Sequence, residues 1–166
     1  MIASHASIVS GKRTLNATTC IFFTIGYEQS EPREFLRRLQ QNLVEVVVDV
    51  RDMPLSRKRG FSKNQLQELL ESVDIEYIHV KALGAPKSIR DPLRAGGSWW
   101  EYVKGYNRVL AAQTVEVDRL IELARGKRIC LLCFERDPAE CHRSLIALDM
   151  TKRSGTRLLT PEHIRY

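Results

Sequence analysis

The chain has 166 residues, of which 43% are hydrophobic and 28% are charged, as is usual for one soluble globular domain. No apolar stretch approaches the roughly 20 residues that a membrane-spanning helix needs, so we expect no membrane partner. The first 19 residues lack the continuous apolar segment of a secretory signal. Four cysteines without such a signal predict free thiols and a cytoplasmic protein.

The formal net charge of +6 favours anionic partners. Basic residues are concentrated in two segments, which contain Arg51, Arg57, Lys58, Arg59 and Lys63 in the first and Lys81, Lys87, Arg90 and Arg94 in the second. Two interpretations stay open at this point. The charges are either ordinary solvated surface or a basic rim around a cleft that binds phosphate or nucleic acid.

The first half of the chain predicts two strands, each followed by a helix. Residues 20–25 form an apolar run that predicts a strand, and Ser30 is expected to cap the helix after it. Residues 44–51 are too continuously apolar for a solvent-facing sheet and fit a buried parallel strand. Ser62 and Gln65 have the spacing of a capping box, which predicts the start of the second helix.

The second half continues the alternation of strands and helices. Its prolines and glycines predict a long loop at residues 84–97. We expect strands at residues 75–80, 128–134 and 156–159, and helices at residues 98–112, 114–124 and 141–153.

This alternation, without repeats or a linker, predicts a single three-layer α/β domain over residues 20–166. We expect a Rossmann-like arrangement, in which helices flank a mainly parallel sheet. Residues 1–19 are polar and aperiodic, and we expect them to form a flexible N-terminal extension.

The carboxyl ends of parallel strands share one edge of a sheet, where open α/β folds bind their ligands. Side chains that follow the predicted strands should therefore converge. They are Tyr27, Asp49, Arg51, His79, Cys133 and Glu135.

The segment from Cys133 to Arg143 is the densest in reactive residue types. Cys141 and His142 lie at the expected start of the last helix, where backbone N–H groups and the helix dipole favour a thiolate. Arg143 can bind a carboxylate or phosphate through two parallel hydrogen bonds. Each residue alone also has a structural explanation, as a packing or capping residue. Their grouping with Glu135 favours a functional site.

These patterns assign candidate roles. The catalytic candidates are Asp49, Glu135, Cys141 and His142, and the substrate-binding candidates are Tyr27, Arg51, Arg57, His79 and Arg143. Asp49 interrupts a valine-rich strand, and a buried carboxylate needs a partner such as Arg51 or Arg143, in a pair that is either structural or functional. Cys130 and Cys133 lie in an apolar strand and are most simply explained as core residues.

A metal site is the alternative explanation of the cysteines. Cys133, Cys141 and His142 are zinc-ligand types, and His79 or Asp49 would complete the set. Both halves of such a site fall within one loop, however, which differs from the spread signature of zinc deaminases. We therefore expect no metal and no cofactor.

The motifs resemble those of the family known as domain of unknown function 488. The resemblance is carried, in order along the chain, by Thr24-Ile-Gly26, Val48-Asp49-Val50-Arg51-x-x-Pro54-x-Ser56, Tyr77-x-His79, Leu83-Gly84, Cys133-x-Glu135 and Cys141-His142-Arg143. The family often has histidine where this chain has Tyr27, and Gly-Gly where it has Gly84-Ala85. The resemblance implies that the motif positions form a shared site, without implying an activity.

Two functions agree with these observations. The first is an enzyme acting on a phosphorylated or nucleotide-like anionic substrate at the carboxyl edge of the sheet. The second is a non-catalytic module that binds nucleic acid or a nucleotide. We favour the enzyme, because Asp49 and Glu135 would hinder simple phosphate binding. The oligomeric state is not predicted.

Overall fold

The computed structural model of the protein describes residues 22–154 and 162–165. Within these ranges the chain forms five strands: β1 (Phe22–Gly26), β2 (Val46–Asp49), β3 (Glu76–His79), β4 (Ile129–Cys133) and β5 (Glu162–His163). It also forms six α-helices: α1 (Pro32–Gln41), α2 (Lys63–Glu71), α3 (Lys87–Arg94), α4 (Trp99–Ala111), α5 (Thr114–Gly126) and α6 (His142–Arg153). Short 3-10 turns lie at Lys81–Leu83 and Pro138–Glu140.

The five strands form one sheet in the order β3-β2-β4-β1-β5, and every pair is parallel. Helices cover both faces, so the predicted three-layer α/β fold is confirmed. Successive residues of β2 explain the layers. Val46 and Val48 pack into the core on one face, whereas Val47 packs into the core on the other. A strand buried on both faces must be apolar at every position, which explains the continuous valine run.

The two faces carry different helices. One core contains Phe35 and Leu39 of α1 with Leu66 and Leu70 of α2, and these four side chains have no exposed surface. The opposite core is built from α4, α5 and α6. Burying a side chain of this size contributes about 1.5–3 kcal/mol, so these faces supply most of the driving force for folding.

The strand order creates a crevice between β2 and β4. These strands are neighbours, but the chain leaves β2 toward α2 on one face and leaves β4 toward α6 on the other. Connections that diverge in this way leave space beyond the carboxyl ends of the two strands, which is where open α/β sheets bind ligands.

The prediction of a loop through residues 84–97 was wrong, because α3 occupies Lys87–Arg94. Ile89 and Leu93 lie one helical turn apart, and both pack against the core beside α4. Pro86 precedes the helix, where a proline is tolerated, and Pro92 lies inside it. Tertiary packing of the two apolar residues therefore overrides the breaker signal of the prolines.

Two helix starts differ from the predicted caps. Helix α1 follows Glu31 rather than Ser30 as its cap. Helix α2 begins after Ser62 as expected, but the Ser62 hydroxyl donates to the carbonyl of Ser56 at 3.1 Å instead of capping the helix. Gln65 likewise accepts from the amide of Gly60 at 3.0 Å, so both side chains fix the preceding loop.

The expected extension at residues 1–19, the first residues of the expected strand at 20–25 and the expected strand at 156–159 lie outside the described residues. None of the helices in the described ranges has both the length and the apolar character needed to cross a membrane.

Candidate functional site

A crevice of about 590 Å³ opens at the carboxyl edge of the sheet, between the ends of β2 and β4. We call Cys133, Glu135 and His142 its floor. We call the basic and apolar side chains around its mouth the rim, which includes Met53, Leu55, Arg57, Lys58, Arg90, Arg94 and Phe134. Its volume falls within the range of about 300–1,000 Å³ that is usual for small-molecule sites.

Four metal-ligating or reactive side chains meet at the floor, and we call them the Cys–Glu–Cys–His cluster: Cys133, Glu135, Cys141 and His142. Their donor atoms all lie within 4.8 Å of one another. Glu135 Oε2 lies 3.0 Å from the sulfur of Cys133 and 3.1 Å from the sulfur of Cys141. His142 Nδ1 lies 3.7 Å from the first sulfur and 4.0 Å from the second.

The connection between β4 and α6 brings the cluster together. Cys133 ends β4, and the 3-10 turn at Pro138–Glu140 returns the chain toward it. Asp137 Oδ1 caps this turn by accepting from the amide of Ala139 at 2.8 Å. The amide of Cys141 then donates to the carbonyl of Pro138 at 3.3 Å, which places Cys141 and His142 directly beneath the strand end.

Arg143 stabilises this connection by binding its backbone carbonyls. Its side chain is 1% exposed, and its guanidinium donates to the carbonyls of Glu135 at 2.6 Å and Arg136 at 3.0 Å. Arg143 does not line the crevice. The geometry therefore indicates that it fixes the backbone of Glu135 rather than contacting a substrate.

A backbone contact orients His142. Its Nε2 lies 2.8 Å from the carbonyl oxygen of Val50, and a carbonyl can only accept, so the proton resides on Nε2. The ring also packs edge-on against Tyr106, with 5.1 Å between the ring centroids. As a result Nδ1 points at the two sulfurs.

Burial and mutual contact shift the pKa values of the cluster. Burial and the charge of Cys141 raise the pKa of Glu135 to about 7. Burial opposes ionisation of Cys141, but hydrogen bonds with Cys133 and His142 outweigh it and hold the pKa of Cys141 well below its usual value. The hydrogen bond with Cys141, then burial, raise the pKa of Cys133 well above its usual value. The protonation state of each of these groups therefore depends on the protonation of the others.

Asp49 and Arg51 form a buried ion pair at the end of β2. Asp49 has no exposed surface, and its carboxylate accepts from Nε of Arg51 at 2.8 Å and from the hydroxyl of Tyr77 at 2.6 Å. A second nitrogen of Arg51 binds the other carboxylate oxygen. Because Asp49 is enclosed by these donors and does not line the crevice, the geometry indicates a structural role for it.

Arg51 and Tyr27 reach the crevice through the same network. Arg51 donates from Nη1 to the hydroxyl of Tyr27 and to the carbonyl of Phe61, each at 2.8 Å. The Tyr27 ring stacks on Phe61, with 4.5 Å between centroids. His79 is more remote, because its Nε2 donates to the carbonyl of Arg51 at 2.8 Å and its ring does not line the crevice.

The structure thus brings Tyr27, Arg51 and Arg57 to the crevice with two of the four catalytic candidates, Glu135 and His142, while Cys141 lies behind the floor in contact with Glu135. Asp49, His79 and Arg143 support its walls instead. Catalytic and substrate-binding roles for these residues stay predictions.

Several crevice residues have no catalytic or substrate-binding role among the predictions from the sequence: Lys58, Arg90, Arg94, Tyr102 and Cys133. The charge density near residues 87–94 was the available signal for Arg90 and Arg94. Cys133 was assigned to the core, and at 4% exposure it is indeed buried, yet it also forms part of the floor.

Comparison with known families bears directly on this geometry. A family model described as domain of unknown function DUF488 matches residues 31–148, which is more than half of the chain. The chain belongs to the DUF488 family. The resemblance expected from the motifs is therefore confirmed. The DUF488 match contains the whole Cys–Glu–Cys–His cluster and Arg51, while Tyr27 precedes it. Comparisons with curated proteins and with solved structures found no match.

Proposed function

We propose that this DUF488 protein is an enzyme acting on a phosphorylated or nucleotide-like anionic substrate bound in the crevice. One observation carries the proposal: a rim with four cationic side chains opens directly onto a floor of Cys133, Glu135 and His142. Cations attract and orient an anionic group, while thiol, carboxyl and imidazole groups are the common carriers of nucleophilic and acid–base chemistry.

The cations of the rim support an anionic ligand. Arg57, Lys58, Arg90 and Arg94 come from two separate segments and face the same opening. Arg90 lies 3.7 Å from the carboxylate of Asp52, and its buried Nε has no hydrogen-bond partner among the described residues. A buried N–H without a partner is unfavourable, so an anion that accepts from it would gain affinity.

The apolar members of the rim support a substrate with a planar or apolar part. Met53, Leu55 and Phe134 are 52%, 70% and 42% exposed, which is high for large apolar side chains beside a crevice. Exposed apolar surface next to cations suits a ligand that combines a ring with an anionic group, as nucleotides do.

Glu135 is the best-placed group for proton transfer. It is the carboxylate of the floor, whereas Asp49 is enclosed by Arg51 and Tyr77. Of the two sulfurs, that of Cys133 faces the crevice, and Cys141 lies behind it at 1% exposure. We therefore assign proton transfer to Glu135 and expect the reacting part of the substrate to contact Cys133 and His142.

A ligand panel tests the proposal. Inorganic phosphate, nucleotides, sugar phosphates and short oligonucleotides are screened by thermal shift, since a ligand that binds the folded state raises the melting temperature. Hits are then incubated with the protein, and products are identified by mass spectrometry. Arg90→Ala should reduce the shift, whereas Arg119→Ala, an exposed arginine on α5, is the matched control of equal charge.

The outcomes separate the two functions. Turnover of a hit that is lost in Glu135→Gln while the thermal shift is retained supports the enzyme. Binding of oligonucleotides without conversion of any compound would instead support a binding module. No shift with any anion would contradict both.

A further inference from the structure

The Cys–Glu–Cys–His cluster has the composition and spacing of a metal centre. We propose that Cys133, Glu135, Cys141 and His142 bind one Zn²⁺ ion. Bonds of about 2.0–2.3 Å in a tetrahedral zinc site place the donor atoms roughly 3.3–3.8 Å apart. The separation of 3.7 Å lies inside this range, those of 3.0, 3.1 and 4.0 Å lie within about 0.3 Å of it, and no pair of donor atoms is more than 4.8 Å apart. Small side-chain shifts would therefore seat the ion.

The imidazole is already oriented as a ligand. Because His142 Nε2–H donates to the carbonyl of Val50, the lone pair of the neutral ring is on Nδ1, which faces both sulfurs. Metal-bound histidines usually make this second hydrogen bond, and it fixes both the tautomer and the ring orientation. Arg143 has a comparable supporting role, since it holds the carbonyls of Glu135 and Arg136.

The negative charge that the cluster carries when its thiols and carboxyl group are ionised also favours binding of a cation. A carboxylate oxygen lies within 3.1 Å of two sulfurs in a buried setting. Among the described residues no lysine or arginine forms an ion pair with Glu135; the nearby Arg143 guanidinium binds backbone carbonyls instead. Without a metal, protons must separate these groups, because buried anions in contact repel one another. A divalent ion would replace those protons and neutralise the ligands.

The donor types select zinc over the commoner hard cations. Two sulfurs and one imidazole nitrogen suit Zn²⁺, whereas Mg²⁺ and Ca²⁺ prefer shells made of oxygen. This proposal departs from two expectations from the sequence. It assigns a metal where none was expected, and it gives the fourth position to Glu135 instead of His79 or Asp49.

The ion would lie at the floor of the crevice. Cys133, Glu135 and His142 face the opening, and Cys141 lies behind them. This inference goes beyond the proposed function and rests on the cluster alone. With the ion bound, the side chains are ligands, so the roles proposed above for Glu135, Cys133 and His142 apply to the metal-free cluster. Zinc binding is measured without any substrate, so its failure would leave the anion-binding results unaffected.

The test uses the full chain, purified with a reductant and without added metal. Its zinc content is measured by elemental analysis, and a sample stripped with a chelator is titrated with Co²⁺. We expect zinc near one equivalent per chain. We also expect cobalt to give the intense visible bands of a tetrahedral site and a thiolate-to-cobalt charge-transfer band.

Variants assign the ion to the cluster. Cys141→Ser and Cys133→Ser should lose zinc and the charge-transfer band, and Glu135→Gln should weaken cobalt binding at least tenfold. Cys130→Ala, in the same strand as Cys133, and His79→Asn are matched controls that should keep the metal. Zinc retained in both serine variants would overturn the proposal. The proposal would also be overturned if metal-free wild-type protein, shown to be folded by circular dichroism, gave no cobalt spectrum. This second test does not depend on whether the variants fold.

Discussion

Arg51 forms an ion pair with Asp49, two residues earlier in the chain, and both side chains are buried. The guanidinium and the carboxylate make two parallel hydrogen bonds, and the backbone amide of Arg51 adds a third to the same carboxylate at 3.0 Å. The pair is 5% and 0% exposed. These hydrogen bonds therefore fix the end of β2 to the loop that follows it.

Removing one partner of this pair should destabilise the protein strongly. Arg51→Ala leaves the Asp49 carboxylate buried without its main donors, and breaking a buried ion pair costs about 3–5 kcal/mol. Urea unfolding followed by circular dichroism measures the loss. Arg119→Ala breaks an exposed pair with Glu116 and should cost less than about 1 kcal/mol. A loss below about 1 kcal/mol for Arg51→Ala as well would show that the pair is dispensable.

Gly26 should be required for the shape of the floor. A Cβ at this position would lie 1.8 Å from the carbonyl oxygen of Glu135, so Gly26→Ala must displace the connection after β4. We expect a loss of about 1–3 kcal/mol, as for other overpacked sites, together with weaker cobalt binding.

Gly105→Ala is the matched control for that change. Its Cβ would meet only ordinary contacts, the nearest being Ile89 Cδ1 at 3.5 Å, and alanine in a helix is favoured over glycine by roughly 0.5–1 kcal/mol. Chemical denaturation of both variants gives the comparison. Equal stability of the two proteins would mean that the connection yields without strain.

We expect neighbouring basic residues of one loop to contribute differently to ligand binding. Arg57 and Lys58 line the crevice, whereas the exposed Arg59 does not. Replacing Arg57 and Lys58 with alanine should weaken the binding of an anionic ligand at least roughly tenfold and reduce its salt dependence, because each contact with a charged group contributes about 1.5–3 kcal/mol before screening. Calorimetry at several salt concentrations measures both effects. Arg59→Ala should change neither, and an equal effect from Arg59→Ala would indicate only general surface attraction.

His163 should make stability depend on pH. Burial lowers its pKa below the ordinary value of about 6.5, and the positive charges of Arg143 and Arg165 act in the same direction. The folded state thus favours the neutral ring, which contacts Thr24 Oγ1 at 2.6 Å. Its contribution is complete above about pH 6.5 and is lost as the pH falls, because the unfolded chain takes up the proton first. Melting temperatures of wild type and His163→Gln across this range should diverge; parallel curves would contradict the assignment.

The two central strands and their shared edge could be predicted because β2 and β4 contain continuous apolar runs, with Asp49 at the end of the first and Cys133 at the end of the second. Asp49 shows the pattern, since a carboxylate after three buried valines marks the strand end and demands a partner. Helix α3 could not be predicted in this way. Its two apolar anchors, Ile89 and Leu93, matter only once α4 lies beside them, and no local signal in the sequence reports that contact.

The sequence indicated which residues belong to the site better than it indicated where their side chains point. The spacing from Cys133 to His142 placed the cluster at one strand end, but side-chain direction decides function. Arg143 follows His142 directly and yet points to backbone carbonyls behind the crevice. Distance also separates the two candidates for the fourth position of the proposed metal site. His79 ends the strand two positions away from β4 in the sheet, whereas Glu135 follows Cys133 by two residues and reaches the same point.

The origin of the floor and the rim in different parts of the chain has an evolutionary consequence. Every member of the cluster comes from residues 133–142, whereas the rim cations come from the loop after β2 and from α3. Substitutions in those two segments can change which molecule enters without touching the groups beneath it. If the proposed function holds, proteins of this family can keep the same floor while diverging in the compounds that they bind.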